Sequence, residues 1–280
     1  MVIIKKLLSN GAEILSGSVE NPHSEAQYLL SDILKKDRLY LSMYRDNPID
    51  EKTENVFLNF CKRRAMGEPF SYIVGHKEFM SLDFTVNSNV LIPRPETELL
   101  VETVIEHCKI HSPKIMDICT GSGAIACSLA YYIKNSSVSG TDISKEALEV
   151  AVENAKRLVK NKKINFFIAD ALEKISSDEK FDIVVSNPPY IESETVETLD
   201  CSVKNYEPRL ALDGGDDGLI FYERIVNNIE SILKKGGEIF FEIGYNQAKS
   251  VHSIMKSKLC NIEIIKDYAG LDRIICGQLA

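Results

Sequence analysis

No apolar run in the sequence approaches the roughly 18 residues that a bilayer span requires. The first eleven residues carry Lys5 and Lys6 but no apolar stretch long enough for a secretory signal. Seven cysteines, an odd number with no paired C-x-x-C spacing, argue against a disulfide framework and fit a reducing compartment. The histidines (His23, His76, His107, His111 and His252) share no ligand spacing, so no metal site is expected. There is no excess of basic charge either: 33 Lys and Arg stand against 41 Asp and Glu, a net charge of −8. Ten basic and ten acidic residues balance up to Gly75, so the acid excess lies beyond it. Duplex nucleic acid normally needs a basic face, so no stable nucleic-acid partner is expected. Internal repeats and low-complexity tracts are missing as well. These absences leave a soluble, cytoplasmic protein with no membrane partner as the expectation.

What is present is an ordinary globular composition, 44% hydrophobic and 26% charged over 280 residues. That length suggests about two domains. Residues 1–75 read as helices. Asn21-Pro22 is a cap followed by proline at the first helical position, and Ala26, Leu29, Leu30, Ile33 and Leu34 recur at helical spacing. A further helix starts near Asp50, with Val56, Phe57, Phe60 and Cys61 on one side. From Pro69 the pattern changes. Tyr72-Ile73-Val74, then Phe79, Leu82, Phe84 and Val86, suggest two short strands about Gly75-His76-Lys77, with a linker at 76–90. Pro95 opens a helix whose first turn carries Glu96 and Glu98, favourable at the positive end of the dipole. Arg94, just before it, is either half of a surface ion pair or part of a pocket mouth.

Beyond this point strands and helices alternate, which implies a mostly parallel, doubly wound sheet. Strands are expected at Lys114–Ile118, Ser137–Thr141, Ile164–Ile168, Phe181–Ser186 and Glu238–Ile243. Helices are expected at Ala124–Ile133, after a Ser144 cap, at Gly218–Lys235 and at Gln247–Lys258. The last two strands, near Ile262–Lys266 and Arg273–Cys276, are too close for a helical crossover and should pair antiparallel.

The chain is organised around Phe181–Ser186 and the tetrapeptide after it, Asn187-Pro188-Pro189-Tyr190. Two prolines fix two φ angles and remove two backbone donors, so the chain turns stiffly where the strand ends. Ligands of open α/β sheets bind outside the carboxyl ends of the strands. Such a loop presents an amide, undonated carbonyls and an aromatic ring to that crevice.

A second motif, Asp117-Ile118-Cys119-Thr120-Gly121-Ser122-Gly123, ends one strand and opens a helix. Glycines there allow a sharp turn and close approach of a ligand to the main chain. Alone it also fits the dinucleotide fingerprint G-x-G-x-x-A. Asp142 ends the next strand, placed to accept from ribose hydroxyls, and Asp170 ends the third, placed to accept from an exocyclic amine. A pyrophosphate prefers helix-terminal N–H groups without a nearby carboxylate. Carboxylates at the loop, the ribose and the base suit S-adenosylmethionine, with its ammonium and sulfonium, better than a dinucleotide.

With D-x-C-T-G-S-G and N-P-P-Y in place, the chain resembles class I S-adenosylmethionine methyltransferases, and more closely the PrmC/HemK family of protein-glutamine N5-methyltransferases. The resemblance extends to Ile92-Pro93-Arg94-Pro95-Glu96-Thr97-Glu98, Glu207-Pro208, Gly214-Gly215-Asp216-Asp217-Gly218, Glu242-Ile243-Gly244 with Gln247, and Gly270-Leu271-Asp272-Arg273. Cys119 stands where many relatives have glycine. The resemblance implies a seven-stranded Rossmann-like methyltransferase domain (91–280), a β-hairpin linker (76–90) and a helical domain (1–75) that docks the substrate. It implies a monomer whose protein substrate is a class 1 peptide chain release factor, methylated at the glutamine of its Gly-Gly-Gln motif. The cofactor would contact Cys119, Thr120, Gly121, Ser122, Gly123, Asp142, Ala171 and Asn187, with Asp117 and Asp170 as the flanking acids.

A carboxamide nitrogen is conjugated and therefore a poor nucleophile, so catalysis would come from positioning and fixed dipoles. The Asn187 oxygen and the Pro188 carbonyl would accept both N–H bonds, Pro189 would stiffen the turn, and Tyr190 would pack on the planar amide. The polar stretch Glu192–Gly215 is expected to be a substrate-facing loop that orders on binding. Three other readings share some motifs. Glutamine methylation of a ribosomal protein uses the same groups. Adenine N6-methylation of DNA also presents a conjugated nitrogen to N-P-P-Y, but wants a basic groove. An NAD-dependent oxidoreductase rests on G-x-G-x-x-A alone.

Overall fold

The computed structural model describes residues 1–160, 162–171 and 180–280. By its contacts the chain forms two compact units, Met1–His76 with Asp200–Tyr206, and Lys77–Leu199 with Glu207–Ala280. Among the described residues no helix is long and apolar enough to cross a membrane.

The first unit opens with β1 (Val2–Ile3) and α1 (Ile4–Leu15), followed by α2 (Pro22–Leu34) and α3 (Arg38–Met43). Next come β2 (Pro48–Ile49), α4 (Glu51–Ala65) and α5 (Phe70–Val74). Ile4, Leu7 and Leu15 of α1, Leu29 and Leu30 of α2, and Phe57 and Cys61 of α4 form one buried cluster. Gly11 permits that packing, because a Cβ there would lie 2.4 Å from the Phe57 ring. Pro22 opens α2 as expected, but the Asn21 side chain makes no cap bond. Asp50 does cap α4, accepting from Thr53 N at 2.9 Å, and that bond holds its carboxyl below the usual range. Tyr72–Val74 is not a strand. Pro69 sets the entry and Gly75, at φ 82°, ends a short helix that buries Tyr72 and Ile73.

A hairpin follows, β3 (His76–Phe79) and β4 (Leu82–Thr85), which from Lys77 onward belongs to the second unit. Its turn is Met80-Ser81, both left-handed at φ 50° and 55°. Such turns usually signal themselves by Asn-Gly or Asp-Gly. Their absence here is why the strands were expected elsewhere. Then follow α6 (Pro95–His107), β5 (Lys114–Ile118), α7 (Ala124–Tyr132), β6 (Ser137–Asp142), α8 (Lys145–Leu158), β7 (Asn165–Ile168) and β8 (Phe181–Ser186). The chain continues through α9 (Ser193–Val196) and α10 (Cys201–Lys204, in the first unit) to α11 (Ile220–Asn228), and closes with β9 (Leu233–Glu242), α12 (Ala248–Met255), β10 (Leu259–Lys266) and β11 (Asp272–Leu279).

Seven strands form one sheet in the order β10-β11-β9-β8-β5-β6-β7. β9, β8, β5, β6 and β7 run parallel, while β11 is antiparallel to both of its neighbours. Alternation along the central strands splits the core. Ile115, Ile183 and Val185 pack with α6 and α7 residues, whereas Met116, Ile118 and Val184 pack with α11 and α12 residues.

Two expectations need correction. The helix expected over 218–235 ends at Asn228 and passes through a 3₁₀ turn at Ile229–Ser231. Phe181 N then bonds Ile232 O at 2.7 Å, and Leu233 pairs with Phe181, so strand pairing overrides the helical spacing of Ile229, Ile232 and Leu233. The segment 192–215, expected to order only on binding, already contains two helical turns and a 3₁₀ turn at Arg209–Ala211. Ser193 donates to Asp213 Oδ1 at 2.6 Å and Arg209 pairs with the same carboxylate, closing the segment on itself.

Candidate active site

Strand order reverses direction between β5 and β8, and the crevice outside their carboxyl ends is where a doubly wound sheet takes its ligand. A cavity of about 260 Å³ opens there. Its wall includes Cys119, Gly121, Asp142, Asp170, Ala171, Asn187 and Pro189. Motifs up to 70 residues apart in the chain thus converge.

After β5 the chain takes three left-handed residues in five: Cys119 at φ 60°, Gly121 at 54° and Gly123 at 77°. The two glycines do different work. A Cβ on Gly121 would meet nothing within 4 Å, leaving main chain open to a ligand, whereas one on Gly123 would lie 3.0 Å from Ala151 Cβ in α8. Thr120, Ser122 and Gly123 shape the turn without lining the cavity. Asp117 does the same from beneath. It is fully buried, and its Oδ2 accepts from Thr120 Oγ1 at 2.6 Å and Ala126 N at 3.1 Å. Oδ1 has no partner. Burial pushes this carboxyl up to about 7. Asp117, expected beside a ligand's ammonium, bonds the loop that follows it and does not line the cavity.

Asp142 faces the cavity and is held by backbone: Gly121 N reaches Oδ2 and Ser144 N reaches Oδ1, both at 2.9 Å. Burial raises its pKa and those two N–H groups draw it back. Asp170 pairs with Arg224 at 2.8 Å. Ala171 follows at φ 52° and also lines the wall. The remaining lining includes apolar Ile143, Ala147, Ala169 and Leu210. Two carboxylates on apolar walls suit a nucleoside that carries positive charge and disfavour a pyrophosphate.

Asn187 donates its Nδ2 to Thr97 Oγ1 at 3.2 Å, and its Oδ1 takes no hydrogen bond among the described residues. Pro188 and Tyr190 are not lining residues. The Tyr190 hydroxyl instead donates to Glu242 Oε1 at 3.3 Å, and burial pushes the phenol up. Gln247 Nε2 donates to Tyr190 O at 2.9 Å. A Cβ on Gly218 would lie 2.3 Å from Tyr190 O, and one on Gly214 2.8 Å from Pro189 O. The glycine-rich run 214–218 is therefore glycine because the proline loop lies against it.

Sequence reasoning assigned no role to Ser88–Leu91, Pro208, Leu210 and Ala211, which line the cavity from the flanking segments. One buried carboxylate links those segments. Glu207 accepts from Ile92 N at 3.1 Å and pairs with Arg94 at 2.5 Å. The open choice for Arg94 resolves to an ion pair, with a partner side chain only 2% exposed. The E-P and I-P-R-P pairing was the available signal, since a buried glutamate wants a cation.

Residues 6–75 match the description "PrmC N-terminal domain", and residues 95–204 match "Methyltransferase small domain". A release factor glutamine methyltransferase of Clostridium acetobutylicum is 42% identical over 276 residues, spanning 97% of each chain. One of Lactococcus lactis is 40% identical over 93% of this chain and 96% of its own. The chain belongs to the PrmC/HemK family. Its fold is also that of a methyltransferase from Pyrococcus furiosus, at TM-score 0.53 and 19% identity, with 72% of this chain and 91% of that one covered. The methyltransferase match, residues 95–204, falls mostly within the second unit, which also holds the cavity.

Proposed function

We propose that this PrmC/HemK-family enzyme methylates the side-chain amide nitrogen (N5) of the glutamine in the Gly-Gly-Gln motif of class 1 peptide chain release factors. S-Adenosylmethionine would supply the activated methyl group. The curated relatives carry the name of that activity over nearly the full chain. The observation that carries the reading is Asn187 in the wall of the nucleoside-type cavity, its amide NH2 engaged by Thr97 and its oxygen without a hydrogen bond among the described residues.

The chain's own residues then act by placement. The Cys119–Gly123 main chain, held from below by Asp117, receives the cofactor's amino-acid end. Asp142 takes the ribose hydroxyls, and Asp170 with Ala171 takes the base. Asn187 Oδ1 and the Pro188 carbonyl accept the two N–H bonds of the substrate amide and turn its nitrogen towards the methyl group. Apolar walls keep water out, which favours a step in which positive charge is dispersed. Residues 1–75 dock the release factor, and cytoplasm, where release factors act, is the proposed setting. The test is mass spectrometry of release factor incubated with the enzyme and S-adenosylmethionine. One methyl group should appear on the Gly-Gly-Gln peptide and none when that glutamine is alanine. An unmodified peptide overturns the reading.

A further inference from the structure

A buried asparagine must place one carbonyl oxygen and two N–H protons, or its burial is costly. Asn154, on α8, is 0% exposed and places all three on main chain. Thr85 N donates to its Oδ1 at 2.8 Å, and its Nδ2 donates to Thr85 O at 3.0 Å and to Ser122 O at 2.9 Å. A backbone N–H only donates and a carbonyl only accepts, so these partners admit one orientation of the amide and use both Nδ2 protons. Towards Thr85 the amide behaves as the peptide group of an additional strand beside β4, taking both backbone groups of one residue. Its remaining proton goes to the loop after β5.

The two attachment points belong to two parts of the cavity wall. Ser122 lies between Gly121, which lines the cavity with open main chain, and Gly123, which packs against Ala151 one helical turn before Asn154. Thr85 closes β4, and Ser88–Leu91, just beyond it, line the cavity too. The rest of the loop is pinned residue by residue: Gly121 N on Asp142, Thr120 Oγ1 on Asp117, and Thr120 N on Thr141 O at 2.8 Å. Asn154 pins Ser122 without itself lining the cavity.

We infer that Asn154 is a positioning residue for the cofactor. It sets Ser122, and with it the open main chain at Gly121, and it ties that loop to the strand leading into Ser88–Leu91. The inference rests on the seating proposed for the cofactor's amino-acid end on Cys119–Gly123. Arg157, one turn further along α8, supplies the contrast. It donates to Thr85 Oγ1 at 3.3 Å and to Asn154 Oδ1 at 3.4 Å, and pairs with Asp83 at 3.4 Å. It therefore holds β4 as well, but its bonds go to β4 and α8 and not to the loop.

Asn154→Ala removes the bonds to both segments. Asn154→Asp keeps the one from Thr85 N but turns an oxygen towards both carbonyls. Measured by calorimetry on the full-length enzyme, each variant should bind S-adenosylhomocysteine about 10-fold more weakly, the usual weight of one or two lost hydrogen bonds. With release factor as substrate, the loss should fall on KM for S-adenosylmethionine more than on kcat, because Asn187 and its Thr97 bond are untouched. Arg157→Ala should lower Tm yet bind S-adenosylhomocysteine as wild type does. Wild-type affinity in both Asn154 variants overturns the inference. So does an equal weakening in Arg157→Ala, which would mean that holding β4 is enough. If neither Asn154 variant folds, hydrogen exchange of the wild-type enzyme decides: S-adenosylhomocysteine should slow exchange at Thr85 N–H more than at the other β4 amides, and equal slowing overturns the inference. A wild-type enzyme that binds no S-adenosylhomocysteine overturns the cofactor reading and this inference together. Binding without methylation of release factor overturns only the proposed substrate, and the affinities still decide the role of Asn154.

Discussion

At the scale of single residues, Asn187 and Asp117 show how place sets role. Both are short polar side chains at strand ends. Asn187 lines the cavity with an oxygen that takes no hydrogen bond among the described residues, while Asp117 is sealed beneath the loop it supports. Asn187→Ala should therefore lower kcat for release factor methylation by about 10²–10³-fold, the usual cost of losing one preorganised polar contact. Affinity for S-adenosylhomocysteine, measured by calorimetry, should change little, because the Cys119–Gly123 loop, Asp142 and Asp170 remain. Turnover at the wild-type rate would remove Asn187 from the mechanism. The identity of the motif residues was legible in the sequence. The Thr97 neighbour was not, since a threonine in a helix ordinarily signals nothing and its partner lies 90 residues away.

At the scale of elements, two stiff loops are wedged by glycines. Gly218 sits at φ 70° with Tyr190 O where its Cβ would be. Gly218→Ala combines backbone strain with a clash against main chain, which cannot give way as a flexible side chain can. The expected result is a displaced Tyr190, a loss of about 10-fold or more in kcat, and a lower Tm with cofactor-product affinity retained. An unchanged kcat would mean that the 214–218 run does not brace the proline loop. The elements that sequence reasoning misplaced share a cause. Met80-Ser81 turns a hairpin without turn residues, and Leu233 continues a helical spacing yet pairs with Phe181. In both cases partners distant in sequence outweigh local propensity.

At the scale of the whole molecule, three buried carboxyls leave a signature in stability. Burial raises Asp117 and Glu242 to about 7 from ordinary values of 3.8 and 4.5, and raises Asp142 in the same direction. The folded state therefore holds protons that the unfolded chain has released. The stabilisation is complete below pH 4 and is lost as pH rises through about 7. Tm of the ligand-free enzyme, followed by calorimetry, should fall between pH 5 and 8, and Asp117→Asn with Glu242→Gln together should flatten that slope. A wild-type Tm that climbs over the same range would contradict the burial of these groups. Asp182, Asp213 and Asp267, whose pKa values are lowered, work in the opposite sense but only at more acid pH.

The order of strands and helices from β5 onward, the antiparallel final pair, the cap at Ser144 and the two motif loops all follow from local chemistry. Spacing, proline and glycine act over a few residues, so they can be read in one dimension. Which acid lines the cavity, which glycine opens main chain and which braces a loop, and which end of the Asn187 amide turns to Thr97 were decided only by packing. Each depends on a group brought in from another part of the chain: Thr120 and Ala126 on Asp117, Ala151 against Gly123, Thr97 against Asn187. Hydrogen-bond polarity and close contact act at a few ångströms, and that proximity exists only once the sheet has assembled.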